Sequence, residues 1–472
     1  MNDSECNPDV RLDERSSFFS IWLLTWPQML MMLLHFSIGF IDVFVAGRLG
    51  KEIQAALGMV SQCQMFSLIL VIAVSNAAVA ALSQSLGACL YNRTRRYVGL
   101  CLMLALGLAL VIMGLGFAFQ DSFLGLLHVP EAIRDEAGYM YAVTLATLPA
   151  HYLLLISNAI FRAYKIVLVP LYSIICITLL NTIGDFGLGL GLWGLPALGY
   201  KGIIWATFIS VGAGAAFNLL TLGRMHLLGR KTWPIWRWSR VAVAYLAKVA
   251  WPAGCMHFLW QSGYLVLFGI VATLPVDSVP ALAGLTAGLR IEAILFLPGF
   301  AFNLTASILV GHALGAGRPD LAKRTGYKIL AIACVFISAL GVVVWFCAEA
   351  IAATLSTDPA VQAHTLSYLR YNVAAVPLTT AGMTLGGIMV GAGATIYNLL
   401  AMGASMWLIR LPLAYYLSHV SWRQASGVWA AMFVSQVVQT LVLLYVFQYR
   451  DWRRFSLRKA VKSRTRISRN VS

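Results

Sequence analysis

Charge is scarce in this chain. Of its 472 residues only 11% are Asp, Glu, Lys or Arg, against roughly 25% in an ordinary globular protein. With 60% of the residues hydrophobic, a soluble fold is excluded, because no globular core hides that much apolar surface. Catalytic patterns are also missing. There is no HExxH, GxSxG, DxxD or metal-spaced His/Cys set, which speaks against an integral-membrane enzyme and against a metal centre. The cysteines (Cys6, Cys63, Cys89, Cys101, Cys176, Cys255, Cys334, Cys347) form no CxxC. Most fall within or at the ends of apolar runs and read as small packing residues, not as a disulfide framework. The first fifteen residues are mixed in charge and the apolar stretch after them is too long for a signal peptide's core, so no cleavable signal is expected.

What the chain has instead is long apolar runs, such as Val98–Phe119, Gly202–Leu222 and Gly326–Phe346. A helix needs roughly 20 apolar residues to span a bilayer. Twelve spans are expected, at 18–45, 54–86, 98–120, 139–161, 166–192, 201–223, 242–273, 281–314, 326–348, 366–391, 396–419 and 426–449. The fold class is an all-α polytopic membrane protein. Its net charge of +16 does not imply a nucleic-acid partner, because Lys and Arg collect on the cytoplasmic side of membrane proteins. With the N-terminus inside, 26 of the 34 fall in inner segments, which places both termini in the cytoplasm. The basic tail 450–472 is expected to lie against anionic lipid, and the protein is expected to be a monomer in the plasma membrane.

The chain repeats itself. At an offset of about 225 residues Trp26-Pro27 matches Trp251-Pro252, and Gly202, Ala206 and Ser210 match Gly427, Ala431 and Ser435. At 228, Leu86-Gly87-Ala88 matches Leu314-Gly315-Ala316. The expected plan is an N-terminal tail (1–17), an N-lobe (18–225), a basic linker (226–240), a C-lobe (241–449) and the tail. Six spans per half give both copies the same orientation, a parallel repeat. Transporters use that architecture for a midplane site and alternating access.

An ionisable side chain at the bilayer centre costs at least ~2.5 kcal/mol and marks function by default. Three acids lie deep: Asp42, Asp185 and Glu292. His35 lies seven residues before Asp42, nearly on the same helical face, and Asn181 lies four before Asp185. Asp42 reads either as a hydrated carboxylate near the outer interface or as a proton or Na⁺ site. Burial disfavours a carboxylate's charged form, so a change of surroundings lets it take or release a proton, which is the chemistry of an antiporter. Asn181 and Asp185 read as part of that site or as an interhelical hydrogen-bonding pair. Glu292 either pairs with Arg410 or Arg370 or contacts substrate or cation. His35 is a cavity-lining residue or a proton relay, while His151 and His257 read as packing histidines. Pro27 lies fifteen residues before Asp42 and is the candidate hinge, with a static kink as its alternative.

These residues resemble the multidrug and toxic compound extrusion family of antiporters. The resemblance is carried by Pro27 with Asp42-Val-Phe-Val-Ala-Gly-Arg-Leu-Gly50, Ser83-Gln-Ser-Leu-Gly-Ala88, Phe161-Arg-Ala163 with Pro170, and Asn181…Asp185. Gly199-Tyr-Lys-Gly202 with Ala206-Thr207, and Gly311-His-Ala-Leu-Gly-Ala-Gly-Arg318, complete it. It implies two six-helix lobes around a V-shaped cleft, and export of cationic or amphipathic organic compounds driven by entry of H⁺ or Na⁺, with no cofactor. The implied coupling site is Asp42, Asn181, Asp185 and Thr207, with Asn158 nearby. His35, Asn158, Glu292 and Arg410 are the candidate cavity residues. One branch of the family also carries carboxylates in the seventh and tenth spans; this chain has none there. It is in this respect similar to the DNA-damage-inducible branch, with coupling in the N-lobe. The alternative within the superfamily is a flippase for a lipid-linked sugar or cell-wall precursor.

Overall fold

A computed structural model of the chain describes residues 18–126, 130–229, 232–233 and 235–457. The tail 1–17, most of the basic C-terminal tail and three linker positions lie outside the described residues. Twelve helices are long and apolar enough to cross a membrane: α1 (Phe18–Leu49), α2 (Lys51–Gly87), α3 (Tyr91–Ala118), α4 (Arg134–Ala163), α5 (Leu168–Gly189), α6 (Tyr200–Arg224), α7 (Trp236–Ala272), α8 (Ser278–Gly315), α9 (Pro319–Leu355), α10 (Pro359–Ala392), α11 (Thr395–Ser421) and α12 (Ser426–Tyr449). Each coincides with one expected span, and the described residues contain no strand.

Several helices outrun their apolar windows. Hydropathy marks only the stretch that must sit in hydrocarbon, whereas backbone hydrogen bonding carries a helix on into the headgroup region. Thus α9 and α10 start at Pro319 and Pro359, seven residues ahead of expectation. Proline is preorganised for the first helical position, where its missing N–H costs nothing. Asp358 caps α10 by accepting from the Ala360 N–H at 2.8 Å. Inside the helices, hydroxyls bond back to carbonyls four residues earlier, as in Thr144 to Met140 at 2.8 Å and Thr178 to Ile174 at 2.8 Å. Each such bond satisfies a polar group where no water would.

Two of the fifth-position helices change pitch midway. α5 turns from α to π geometry at Asp185–Gly189, and α11 does so at Ser405–Arg410 and again at Tyr416–Ser421. Single π turns inside α-helices recur at functional sites. Both bear the charges of interest, Asp185 in one half and Arg410 in the other.

The chain forms two compact units that do not part at the linker. The N-terminal unit comprises Leu30–Leu86 and Leu90–Ala250; the C-terminal unit comprises the described residues up to Met29, Gly87–Cys89 and those from Trp251 on. The divisions fall inside α1 and α7, within two residues of the repeated prolines Pro27 and Pro252. The opening turns of α1 therefore belong with the C-terminal unit, and the linker with the start of α7 belongs with the N-terminal unit. Six cysteines are free thiols, while Cys89 is disulfide-bonded, an exception to the packing role expected of them.

Candidate functional site

The site in the N-terminal unit is built by close approach of α1, α5 and α6. Gly184 on α5 touches Ala206 on α6 so tightly that a Cβ there would stand 2.5 Å from the alanine methyl. A Cβ on Gly202 would run into the Leu188 carbonyl oxygen. Only glycine allows the two backbones this near, and the approach brings Asn181 against Thr207. On the other side Val45 of α1 packs against Gly189, and the rings of Phe44 and Phe186 lie 6.3 Å apart. Asp42 and Asp185 are the polar neighbours of these contacts.

Asn181 and Asp185 are fully buried. Asn181 Nδ2 donates to Thr207 Oγ1 at 3.3 Å, and the Thr207 hydroxyl donates to the Ile203 carbonyl at 3.2 Å. That sequence of bonds holds the amide nitrogen beside Thr207, and the same side chain reaches Asp42. The carboxyl groups of Asp42 and Asp185 lie close enough to act on one another and on Asn181, and no basic side chain acts on either. Yet Asp42 Oδ1, Asn181 Oδ1 and both Asp185 oxygens are buried with no hydrogen-bond partner among the described residues. Four acceptor oxygens are thus gathered with no donor supplied for them. Leaving a buried polar atom unpaired costs roughly 1–3 kcal/mol, more for a charged group. Such a set is made stable by a proton or by a hard cation bound through oxygen.

The other expected cavity residues go elsewhere. Asn158 on α4 accepts from Asn218 Nδ2 on α6 at 2.8 Å, and the same nitrogen reaches Ser157 Oγ at 2.9 Å. Asn218 lies eleven residues past Thr207, about 16 Å along the helix, so the asparagine pair is a separate group from the acids. His35 is exposed and near enough to His151 to act on it, and Gln64 contacts His151 at 3.5 Å.

In the C-terminal unit Glu292 is buried. It accepts from the Tyr368 hydroxyl, which in turn accepts from Asn372 at 2.9 Å. Neither arginine expected as its partner forms an ion pair with it. Arg370 is on the surface with Glu349, at 3.1 Å. Arg410 is buried, donates from Nε to Ser435 Oγ at 2.8 Å, and stands over the rings of Trp260 and Tyr264 at 5.5 and 5.9 Å. Its charge acts on Glu292 from a distance. Tyr368, Asn372 and Asn218 are site residues that reading the sequence passes over, because neutral polar side chains on apolar helices carry no signal until their partners are known. The four-residue spacing of Tyr368 and Asn372 on one face of α10 is the one available hint.

The MatE family profile matches residues 27–186 and, a second time, residues 252–416. The chain belongs to the MatE family. The two matches open on Pro27 and Pro252, at the same offset as the Trp-Pro repeat. This MatE protein is a multi-pass membrane transporter and not an enzyme. It is 26% identical over 455 residues to the multidrug resistance protein PmpM of Pseudomonas aeruginosa, covering 93% of each chain. Among solved structures it superposes on a MATE transporter in its straight conformation with a TM-score of 0.84 at 19% identity, covering 91% of this chain and 95% of that one. The bent conformation gives 0.83, with 93% and 96% covered. At that identity the superposition speaks for the fold alone.

Proposed function

We propose that this MatE transporter is a secondary antiporter of the bacterial inner membrane, with both termini in the cytoplasm. It exports organic, amphipathic or cationic compounds in exchange for H⁺ or Na⁺. The observation that carries the reading is the set of four unpartnered acceptor oxygens on Asp42, Asn181 and Asp185, with Thr207 behind the amide. A cation or proton entering this set supplies the missing positive charge; its release lets the two carboxylates repel one another. Either event changes what holds α1 to α5, and Pro27, where α1 lacks a backbone hydrogen bond, is where that change bends the helix. PmpM, called a multidrug resistance protein, agrees with the substrate class.

The repeat makes the halves unequal. Position 267, matching Asp42, is the buried Leu267, and position 410, matching Asp185, is Arg410. A fixed positive charge there opposes cation binding, so coupling resides in the N-terminal unit. Of the arginines a flippase would need for an anionic headgroup, Arg370 is engaged by Glu349, and Arg410 donates to Ser435. Accumulation of a fluorescent organic cation in inverted vesicles, with pH and Na⁺ gradients imposed separately, tests the reading. Uptake driven by one gradient supports it; uptake independent of both overturns it.

A further inference from the structure

The first helix is held differently from its repeat partner. Thr25 and Gln28 flank Pro27, and both are fully buried, as is Thr305 on α8. Gln28 Nε2 donates to Thr305 Oγ1 at 3.0 Å and to the Leu24 carbonyl at 2.7 Å. The Thr25 hydroxyl donates to the Ile21 carbonyl at 2.7 Å. Its proton is thereby committed, so in the 3.0 Å contact between Thr25 and Thr305 the donor is Thr305. The bonds run one way, from Gln28 through Thr305 and Thr25 to a carbonyl of α1 itself. Hydrogen bonds in such a chain polarise and strengthen one another. Beside it Ile21 joins the apolar core of the C-terminal unit, and Trp22 meets Phe336 edge-on at 5.5 Å.

The repeat lacks this device. Ala250 matches Thr25, Ala253 matches Gln28, and Ala77 matches Thr305. The compact unit containing the chain of bonds ends at Met29, one residue past Gln28.

We propose that Gln28, Thr305 and Thr25 are positioning residues that latch the opening turns of α1 to α8, so that bending at Pro27 works against a fixed end. The transport consequence rests on the antiport reading above; the latch itself does not. Apolar packing alone would let the opening turns slide along α8, whereas the directed bonds set one axial register. A loosened end would absorb the bend and slow the transport cycle while leaving substrate affinity alone.

The test uses the full chain in liposomes, with its native cysteines replaced and spin labels at positions 19 and 300, both exposed and both in the C-terminal unit. Inter-label distances are measured at acidic and alkaline pH, with and without Na⁺, alongside drug transport kinetics. In the otherwise unaltered chain the distance distribution should stay single and narrow in every condition. Thr305→Val keeps the side-chain shape and removes both cross-helix bonds. It should broaden the distribution and lower the maximal transport rate roughly five- to tenfold, the worth of one or two neutral hydrogen bonds, with KM within about twofold. Gln28→Leu should do the same, and Thr305→Ser should restore both readouts. A narrow distribution and full rate in Thr305→Val, or a Thr305→Ser variant as impaired as Thr305→Val, overturns the latch. If the parent chain shows no gradient-driven transport but Thr305→Val still broadens the distance, the latch stands and the antiport reading falls.

Discussion

Asn181 donates through Nδ2 to Thr207 Oγ1 at 3.3 Å, and the same amide reaches Asp42. Without that bond the amide would be free to rotate away from the position in which it meets the Asp42 carboxyl group. The threonine thus fixes the amide beside the two acids. Thr207→Val should release the amide and weaken the apparent affinity for the coupling ion roughly fivefold, about one hydrogen bond, without abolishing ion dependence. Titration of transport rate against pH and against Na⁺ in vesicles checks this, and an unchanged midpoint in both would separate Thr207 from the site.

Pro27 leaves the Leu23 carbonyl without its intrahelical partner. Pro27→Ala restores the bond and straightens α1, with up to about 3 kcal/mol favouring the straight form. Transport should fall several-fold at near-normal expression. Full transport in the alanine variant would make the proline a packing feature only.

Glu292 is engaged by Tyr368 and influenced by Arg410, in a setting with a fixed positive charge already in place. Glu292→Gln should lower transport or alter substrate preference by roughly two- to tenfold while keeping the response to an imposed gradient. Comparing several organic cations and zwitterions under the same gradient reads both effects.

The membrane orientation is exposed to labelling. Single cysteines at position 122, in the short helix Gln120–Leu126, and at position 358, both exposed, should react with an impermeant thiol reagent added to intact cells. A cysteine at position 226 should react only after permeabilisation. Labelling of 226 in intact cells would invert both halves.

Much of this was legible in the sequence, for identifiable reasons. Spans announce themselves because hydrocarbon tolerates almost no charge, and for the same cause Asp42, Asp185 and Glu292 stand out. The four-residue spacing of Asn181 and Asp185 put them on one face of a helix before any neighbour was known. What periodicity does not carry is which faces meet across helices. Asn158 goes to Asn218, three turns from Thr207, and Arg370 goes to Glu349 instead of Glu292, because registers between helices are set by small-residue contacts such as Gly184 on Ala206. The division of the chain inside α1 and α7 was equally out of reach. The linker at 226–240 looks like a boundary in composition, whereas the compact units divide nearer the Trp-Pro dipeptides. The π turns at Asp185 and Arg410 had no sequence signature at all.

In the proposed antiporter the oxygens of Asp42 and Asp185 couple transport to an ion gradient. The most direct measurement is drug accumulation in inverted vesicles under an imposed pH or Na⁺ gradient, comparing Asp42→Asn, Asp185→Asn and Glu292→Gln at matched levels of folded, inserted protein. An asparagine supplies donors to the acceptor set and cannot hold a transported proton, so each Asp variant should lose gradient-driven accumulation by at least roughly tenfold, more than the worth of a single hydrogen bond. Glu292→Gln should remain gradient-dependent. Normal, ion-dependent accumulation in Asp42→Asn together with loss of all ion dependence in Glu292→Gln would place the coupling site in the other half and contradict the account.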